Sequence, residues 1–203
     1  MAKLKLGFLA SHGGSNLQAI IDSCKEGALN GVARAVISNS SRSGARTRAE
    51  NEGVPFYYLS SVTHPDPAAL DAAILAVLQT REVQVVCLAG YMKKLGERTL
   101  AAYRGRILNI HPALLPKYGG RGMYGMRVHE AVLAAGERES GATVHLIDGE
   151  YDHGPVLAQE AVPVQAGDTP ELLQGRVLQV EHRLYAATLQ KIADGRIVLE
   201  DFL

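Results

Sequence analysis

Asn109 and His111 stand two residues apart in Asn109-Ile110-His111-Pro112, at the end of an apolar run. On an extended strand such residues point to the same side, so an amide donor and an imidazole lie next to each other. Pro112 cannot continue a ladder and biases His111 toward an extended conformation, which ends the strand there. In a parallel sheet that carboxyl end is where ligands bind, and an imidazole there can exchange a proton near neutral pH. The alternative is a histidine hydrogen-bonded into the sheet edge. Asp148-Gly149-Glu150-Tyr151-Asp152-His153-Gly154-Pro155 is an acidic loop between two apolar runs. Carboxylates in turns are usually solvated or cap a backbone N–H. One that reached His111 would instead stabilise its imidazolium and raise its pKa. A third place is the turn Gly13-Gly14-Ser15-Asn16. Its glycines let backbone approach a ligand, and the N–H groups and dipole of the following helix favour an anion such as phosphate. It could equally be a tight strand-to-helix turn capped by Ser15 or Asn16. It is neither GxGxxG nor GxxxxGK[ST], so neither a dinucleotide nor a P-loop nucleotide is indicated.

The elements that must position these residues alternate short apolar runs with helical patterns, the mark of an α/β fold with a mostly parallel sheet. Strands are expected at Leu4–Ala10, Ala33–Ser38, Phe56–Leu59, Val83–Ala89 and Ile107–His111. The first is followed by an amphipathic helix ending near Gly27, the second by a short helix at Gly44–Glu52 closed by Gly53. Asp66-Pro67 supplies an N-cap and first-turn proline for a helix whose Leu70, Ile74, Val77 and Leu78 share a face. Residues 117–126 hold four glycines and should form a mobile loop before a helix at Val128–Ala135. Thr143–Asp148 and Val156–Val162 read as an added, partly antiparallel pair. Thr169-Pro170-Glu171 opens a long last helix with Leu173, Val177, Val180 and Leu184 as its stripe, stopped by Gly195. The reading is a single α/β domain over 1–203, with a Rossmann-like N-terminal half.

With 203 residues and 47% hydrophobic content, the chain can bury an ordinary core without staples. Lys+Arg and Asp+Glu are both 21, a balance that argues against a nucleic-acid binder. Cys24 and Cys87 form no CxxC, and neither a disulfide framework nor a zinc site is suggested. The N-terminus does not read as a signal peptide, and no run of about 18 apolar residues suggests a membrane span. A cytoplasmic protein without membrane contact is expected. No HExxH or nucleophile-elbow pattern occurs.

Gly14-Ser15-Asn16-Leu17-Gln18-Ala19-Ile20, Leu88-Ala89-Gly90-Tyr91-Met92 and Asn109-Ile110-His111-Pro112-Ala113-Leu114-Leu115-Pro116 together resemble the glycinamide ribonucleotide formyltransferases, a branch of the folate-dependent formyltransferase family. Gly141–Asp148, Asp152, Gly154-Pro155, Arg176-Val177 and Glu181-His182 fit the same family. The resemblance runs in order over nearly the whole chain. It implies transfer of a formyl group from 10-formyltetrahydrofolate to the amine of 5-phosphoribosylglycinamide, in purine biosynthesis, with no metal. It also implies roles for residues. Gly14, Ser15, Asn16 and Glu181 match ribotide contacts, Met92, Lys93, Lys94, Leu95 and Asn109 match the folate pocket, and Asn109, His111 and Asp152 match the catalytic trio. Residues 1–105 would form the ribotide half and 106–203 the folate and catalytic half, in a monomer or homodimer.

The chemistry explains the residue types. Amine attack on a formyl amide makes an oxyanion and a positive nitrogen; Asn109 and His111 can stabilise the oxygen, with Asp152 holding His111 charged and assisting proton transfer. The chain departs from the family pattern at Pro67, where an Arg for the folate tail is often found; Lys93 or Lys94 could serve instead. Leu178 stands where a polar substrate contact is sometimes found, and the loop Tyr118–Arg127 is longer than usual. A formyltransferase for aminoacyl-tRNA would carry a basic extra domain, and a formyltetrahydrofolate hydrolase an N-terminal regulatory one. A non-enzymatic folate- or nucleotide-binding module predicts no effect of His111→Ala on turnover. No role is assigned to His12, His64, His129, His145, His153 or His182.

Overall fold

The apolar runs lie side by side because each is too short to bury itself alone and can satisfy its backbone only in a shared sheet. The computed structural model describes residues 2–202. Its seven strands are β1 (Leu4–Leu9), β2 (Gly31–Ser38), β3 (Phe56–Tyr58), β4 (Val85–Leu88), β5 (Ile107–His111), β6 (Glu139–Leu146) and β7 (Val156–Pro163). Their order is β3-β2-β1-β4-β5-β6-β7. The first five pair in parallel, while β6 and β7 continue the sheet antiparallel. This is the expected mostly parallel α/β sheet with an added antiparallel pair.

Six helices cover the sheet: α1 (Ser15–Lys25), α2 (Gly44–Asn51), α3 (Pro67–Thr80), α4 (Glu97–Ala102), α5 (Met126–Ala134) and α6 (Pro170–Ala193). One core cluster joins Leu17 and Ile20 of α1, Ala45 and Ala49 of α2, Val132 of α5 and Leu173, Val177 and Tyr185 of α6 to one sheet face. On the other, Ile74 and Leu78 of α3 pack with Val86, Leu88 and Ile107. The caps anticipated from sequence are present: Asp66 accepts from the N–H groups of Ala68 and Ala69, and Thr169 from that of Leu172.

Strand order reverses between β1 and β4, the place in such a sheet where the loops leaving the carboxyl ends diverge. Three contacts fix the surrounding elements. The Ser11 N–H donates to the Gly90 carbonyl at 3.0 Å, and Ser11 Oγ accepts from the Met92 N–H at 2.8 Å. From α6, the buried Tyr185 hydroxyl donates to the Leu108 carbonyl at 2.8 Å, pinning the long helix over β5.

Several boundaries differ from expectation. Helix α4 was not anticipated; it is only six residues long, and buried Asp71 on α3 accepts from the backbone N–H groups of Arg98 and Thr99 in its first turn. Strand β6 begins at Glu139 rather than Thr143, because Glu139, Ser140 and Gly141 pair with Pro163, Val162 and Ala161. Strand β4 spans Val85–Leu88 rather than Val83–Ala89, and on α6 Leu184 is only partly buried while Tyr185 fills the core.

Candidate active site

Register explains why polar side chains collect at one place. In the antiparallel pair, Asn109 lies opposite His145 and His111 opposite Thr143, while Leu108 and Ile110 oppose Leu146 and Val144. Opposed residues share a face, so one face of the β5–β6 ribbon carries the apolar core and the other carries Asn109, His111, Thr143 and His145. The same-face placement of Asn109 and His111 is as the sequence implied. His145 was missed. Its strand reads as an apolar run, and only the register aligns it with Asn109.

His111 is 3% exposed, and its Nε2 lies 2.7 Å from the Tyr118 carbonyl. A carbonyl only accepts, so Nε2 carries the hydrogen and Nδ1 faces Asp152, whose Oδ2 is 3.5 Å away. His145 Nδ1 lies 3.0 Å from the Leu146 carbonyl and carries its hydrogen for the same reason. Its Nε2 is then free to accept from Asn109 Nδ2 at 3.1 Å, which leaves the second amide hydrogen of Asn109 for a ligand. Asp152 sits on the loop between β6 and β7 in a left-handed conformation, φ 56°, which Asp tolerates better than most residues. Its Oδ2 accepts from the Gly120 N–H at 2.9 Å, and its Oδ1 lies 3.5 Å from His145 Nε2. The acidic loop thus does deliver a carboxylate to His111.

The net shift of His111 runs against the pull of Asp152. Burial pushes its pKa below the usual imidazole value; the Asp152 charge and the Tyr118 carbonyl pull upward, His145 adds to the lowering, and burial wins. The net direction favours the neutral imidazole, while Asp152 pulls toward the imidazolium. Burial raises the Asp152 carboxyl, but the neighbouring His145 and His111 rings and the Gly120 N–H together hold it below the usual range. Buried His129 on α5 is pushed down to about 4, first by burial and then by His111.

After β1, Gly14 takes a left-handed conformation, φ 70°, as the N-cap of α1 and no side chain caps the helix. A capping role for Ser15 or Asn16 is thereby excluded. Asn16 instead donates from Nδ2 to Glu181 Oε2 at 2.7 Å, across 165 residues of sequence. Both side chains are buried, and burial pushes the Glu181 carboxyl up to about 7 against the lowering effect of Asn16. Asn16 Oδ1 is buried without a partner. In the loop after β4, Met92, Lys93 and Lys94 are exposed and Leu95 is buried. Among the described residues no group of three or more His, Cys, Asp or Glu side chains could hold a metal ion. Pro67 occupies the first turn of α3.

Known proteins give this geometry a context. The model of the formyl transferase family matches residues 4–189. The phosphoribosylglycinamide formyltransferase of Escherichia coli is 38% identical over 193 residues, covering 95% of this chain and 89% of that protein. The chloroplastic phosphoribosylglycinamide formyltransferase of Vigna unguiculata is 41% identical over 96% of this chain, which spans only 62% of the plant protein. A crystal structure of glycinamide ribonucleotide transformylase 1 from Symbiobacterium toebii superposes with a TM-score of 0.90 at 40% identity, covering 97% of this chain and 91% of that one. This chain belongs to the formyl transferase family.

Proposed function

We propose that the chain is a cytoplasmic enzyme that transfers the formyl group of 10-formyltetrahydrofolate to the primary amine of 5-phosphoribosylglycinamide, a step of purine biosynthesis. The observation that carries this reading is the meeting of Asn109, His111 and Asp152 at the carboxyl end of β5, with the buried Asn16–Glu181 pair joining α1 to α6. The ribotide phosphate sits on the N–H groups of the Gly14-Ser15-Asn16 turn, with Glu181 against the ribose. Met92, Lys93, Lys94 and Leu95, with Asn109, line the folate pocket. In this reading residues 1–105 carry most ribotide contacts and 106–203 the catalytic groups, with the loop after β4 and Glu181 crossing that division.

The amine nitrogen attacks the formyl carbon, a C–N bond forms, and negative charge moves onto the oxygen. The free amide hydrogen of Asn109 donates to that oxygen, an interaction worth about 3 kcal/mol of barrier. A neutral His111 in the free enzyme is what a base requires: Nδ1 takes the proton released by the attacking nitrogen. Asp152, 3.5 Å from Nδ1, stabilises the imidazolium so formed. The proton passes to the leaving nitrogen as its bond to the formyl carbon breaks, releasing tetrahydrofolate and the formylated ribotide. No covalent enzyme intermediate is needed. Initial rates with both substrates test the reading: formyl loss must depend on the amine and yield one formylated ribotide per folate released. Formate release without the amine would make the protein a hydrolase.

A further inference from the structure

We propose that Arg48 is the cation that holds the phosphate of the acceptor at the Gly14-Ser15-Asn16 turn, and that it sets the preference for a phosphorylated acceptor; this deepens the ribotide reading and rests on it. Two helix N-termini converge at that turn. The Ala45 N–H at the start of α2 donates to the His12 carbonyl at 3.1 Å. A Cβ on Gly44 would lie 2.9 Å from the Gly13 carbonyl oxygen, and one on Gly14 3.0 Å from Ala45. Neither α1 nor α2 carries an acidic residue in its first turn. The positive ends of both dipoles therefore meet with nothing to neutralise them.

Arg48, one turn further along α2, reaches back over this junction. Its Nε donates to the Gly13 carbonyl at 2.8 Å, and one terminal nitrogen lies 3.4 Å from the neutral Gln18 Oε1. Arg46 is paired with Glu50 at 2.8 Å and Lys25 with Glu52 at 3.0 Å, and only Arg48 of these three reaches the Gly13 carbonyl. Among the described residues no carboxylate lies within 4.0 Å of Arg48. His182 Nε2 on α6, near enough to feel the Arg48 charge, is buried without a partner. Burial, and then the charge of Arg48, lower the His182 pKa below the usual imidazole value. A guanidinium with no carboxylate partner against two helix N-termini matches a phosphate monoester dianion, which accepts from its remaining N–H groups and the backbone N–H groups together.

The test uses phosphoribosylglycinamide, its dephosphorylated ribonucleoside and inorganic phosphate with wild type, Arg48→Gln and Arg48→Lys. Loss of one charge-assisted contact should raise KM for the ribotide about 10- to 100-fold in Arg48→Gln, with kcat within about twofold. Inhibition by inorganic phosphate should weaken by a similar factor, and kcat/KM for the ribonucleoside and KM for the formyl donor should not change. Arg48→Lys, which keeps the charge without the fork, should fall between. An equal loss for ribotide and ribonucleoside would overturn the proposal by marking Arg48 as structural, and so would an unchanged ribotide KM. A wild type that uses both acceptors equally would overturn the phosphate reading of the turn and Arg48 with it. A wild-type preference that survives in Arg48→Gln removes Arg48 alone.

Discussion

Replacing His145 by Phe should misplace Asn109 without touching the reacting atoms. His145 is fully buried, and its Nε2 at 3.1 Å is the contact that holds the Asn109 amide. Losing one neutral hydrogen bond of about 0.5–1.5 kcal/mol sets a lower bound of about 2- to 10-fold in kcat. The upper bound is the loss of Asn109 itself, about 100- to 1000-fold for one donor to a developing oxyanion. The assay is formyl transfer at saturating substrates for His145→Phe, Asn109→Ala and the double variant, with thermal melts to confirm folding. If His145 acts through Asn109, the double variant should be no slower than Asn109→Ala. His145→Gln, whose amide oxygen can accept from Asn109, should recover part of the rate. Losses that multiply in the double variant would refute the argument, because His145 would then act by a route other than Asn109, such as its contact with Asp152.

Two further outcomes follow from packing and titration. Glu181 has a carboxyl raised from 4.5 to about 7, so the folded protein binds that proton more tightly than the unfolded chain. Its contribution to stability is full below pH 4.5 and lost as pH rises through about 7, a change on the order of 3 kcal/mol. Glu181→Gln, which keeps an acceptor for Asn16, should flatten that part of the curve of melting temperature against pH; an unchanged curve would mean that another group titrates. A Cβ on Gly154 would lie 2.0 Å from the Leu146 carbonyl oxygen. Gly154→Ala should therefore lower stability in urea by about 3 kcal/mol and slow transfer, since Asp152 lies two residues upstream; a variant as stable as wild type would contradict that packing.

The parts of the site that the sequence carried are those governed by local rules. Alternation along a strand put Asn109 and His111 on one face, and the proline–cap pairs marked the starts of α3 and α6. What stayed hidden depends on tertiary partners. The Asn16–Glu181 hydrogen bond follows from the packing of α1 against α6, and His145 from the β5–β6 register. Helix α4 is too short to announce itself by periodicity and is started by Asp71 from α3. The direction of the His111 shift was missed for a related reason: a carboxylate nearby was foreseeable, but the burial that outweighs it belongs to the folded chain.

The most direct test of the catalytic account is formyl transfer from 10-formyltetrahydrofolate to phosphoribosylglycinamide by wild type and Asp152→Asn, followed over about pH 5 to 9 with the His111 ring titrated by NMR. The account predicts an amine-dependent wild-type reaction and a loss of about 100-fold or more in Asp152→Asn with both substrates still binding. The His111 pKa should fall further in the variant, because the charge that pulls it upward is gone. An unimpaired Asp152→Asn enzyme, or a His111 pKa that rises in it, would contradict the account.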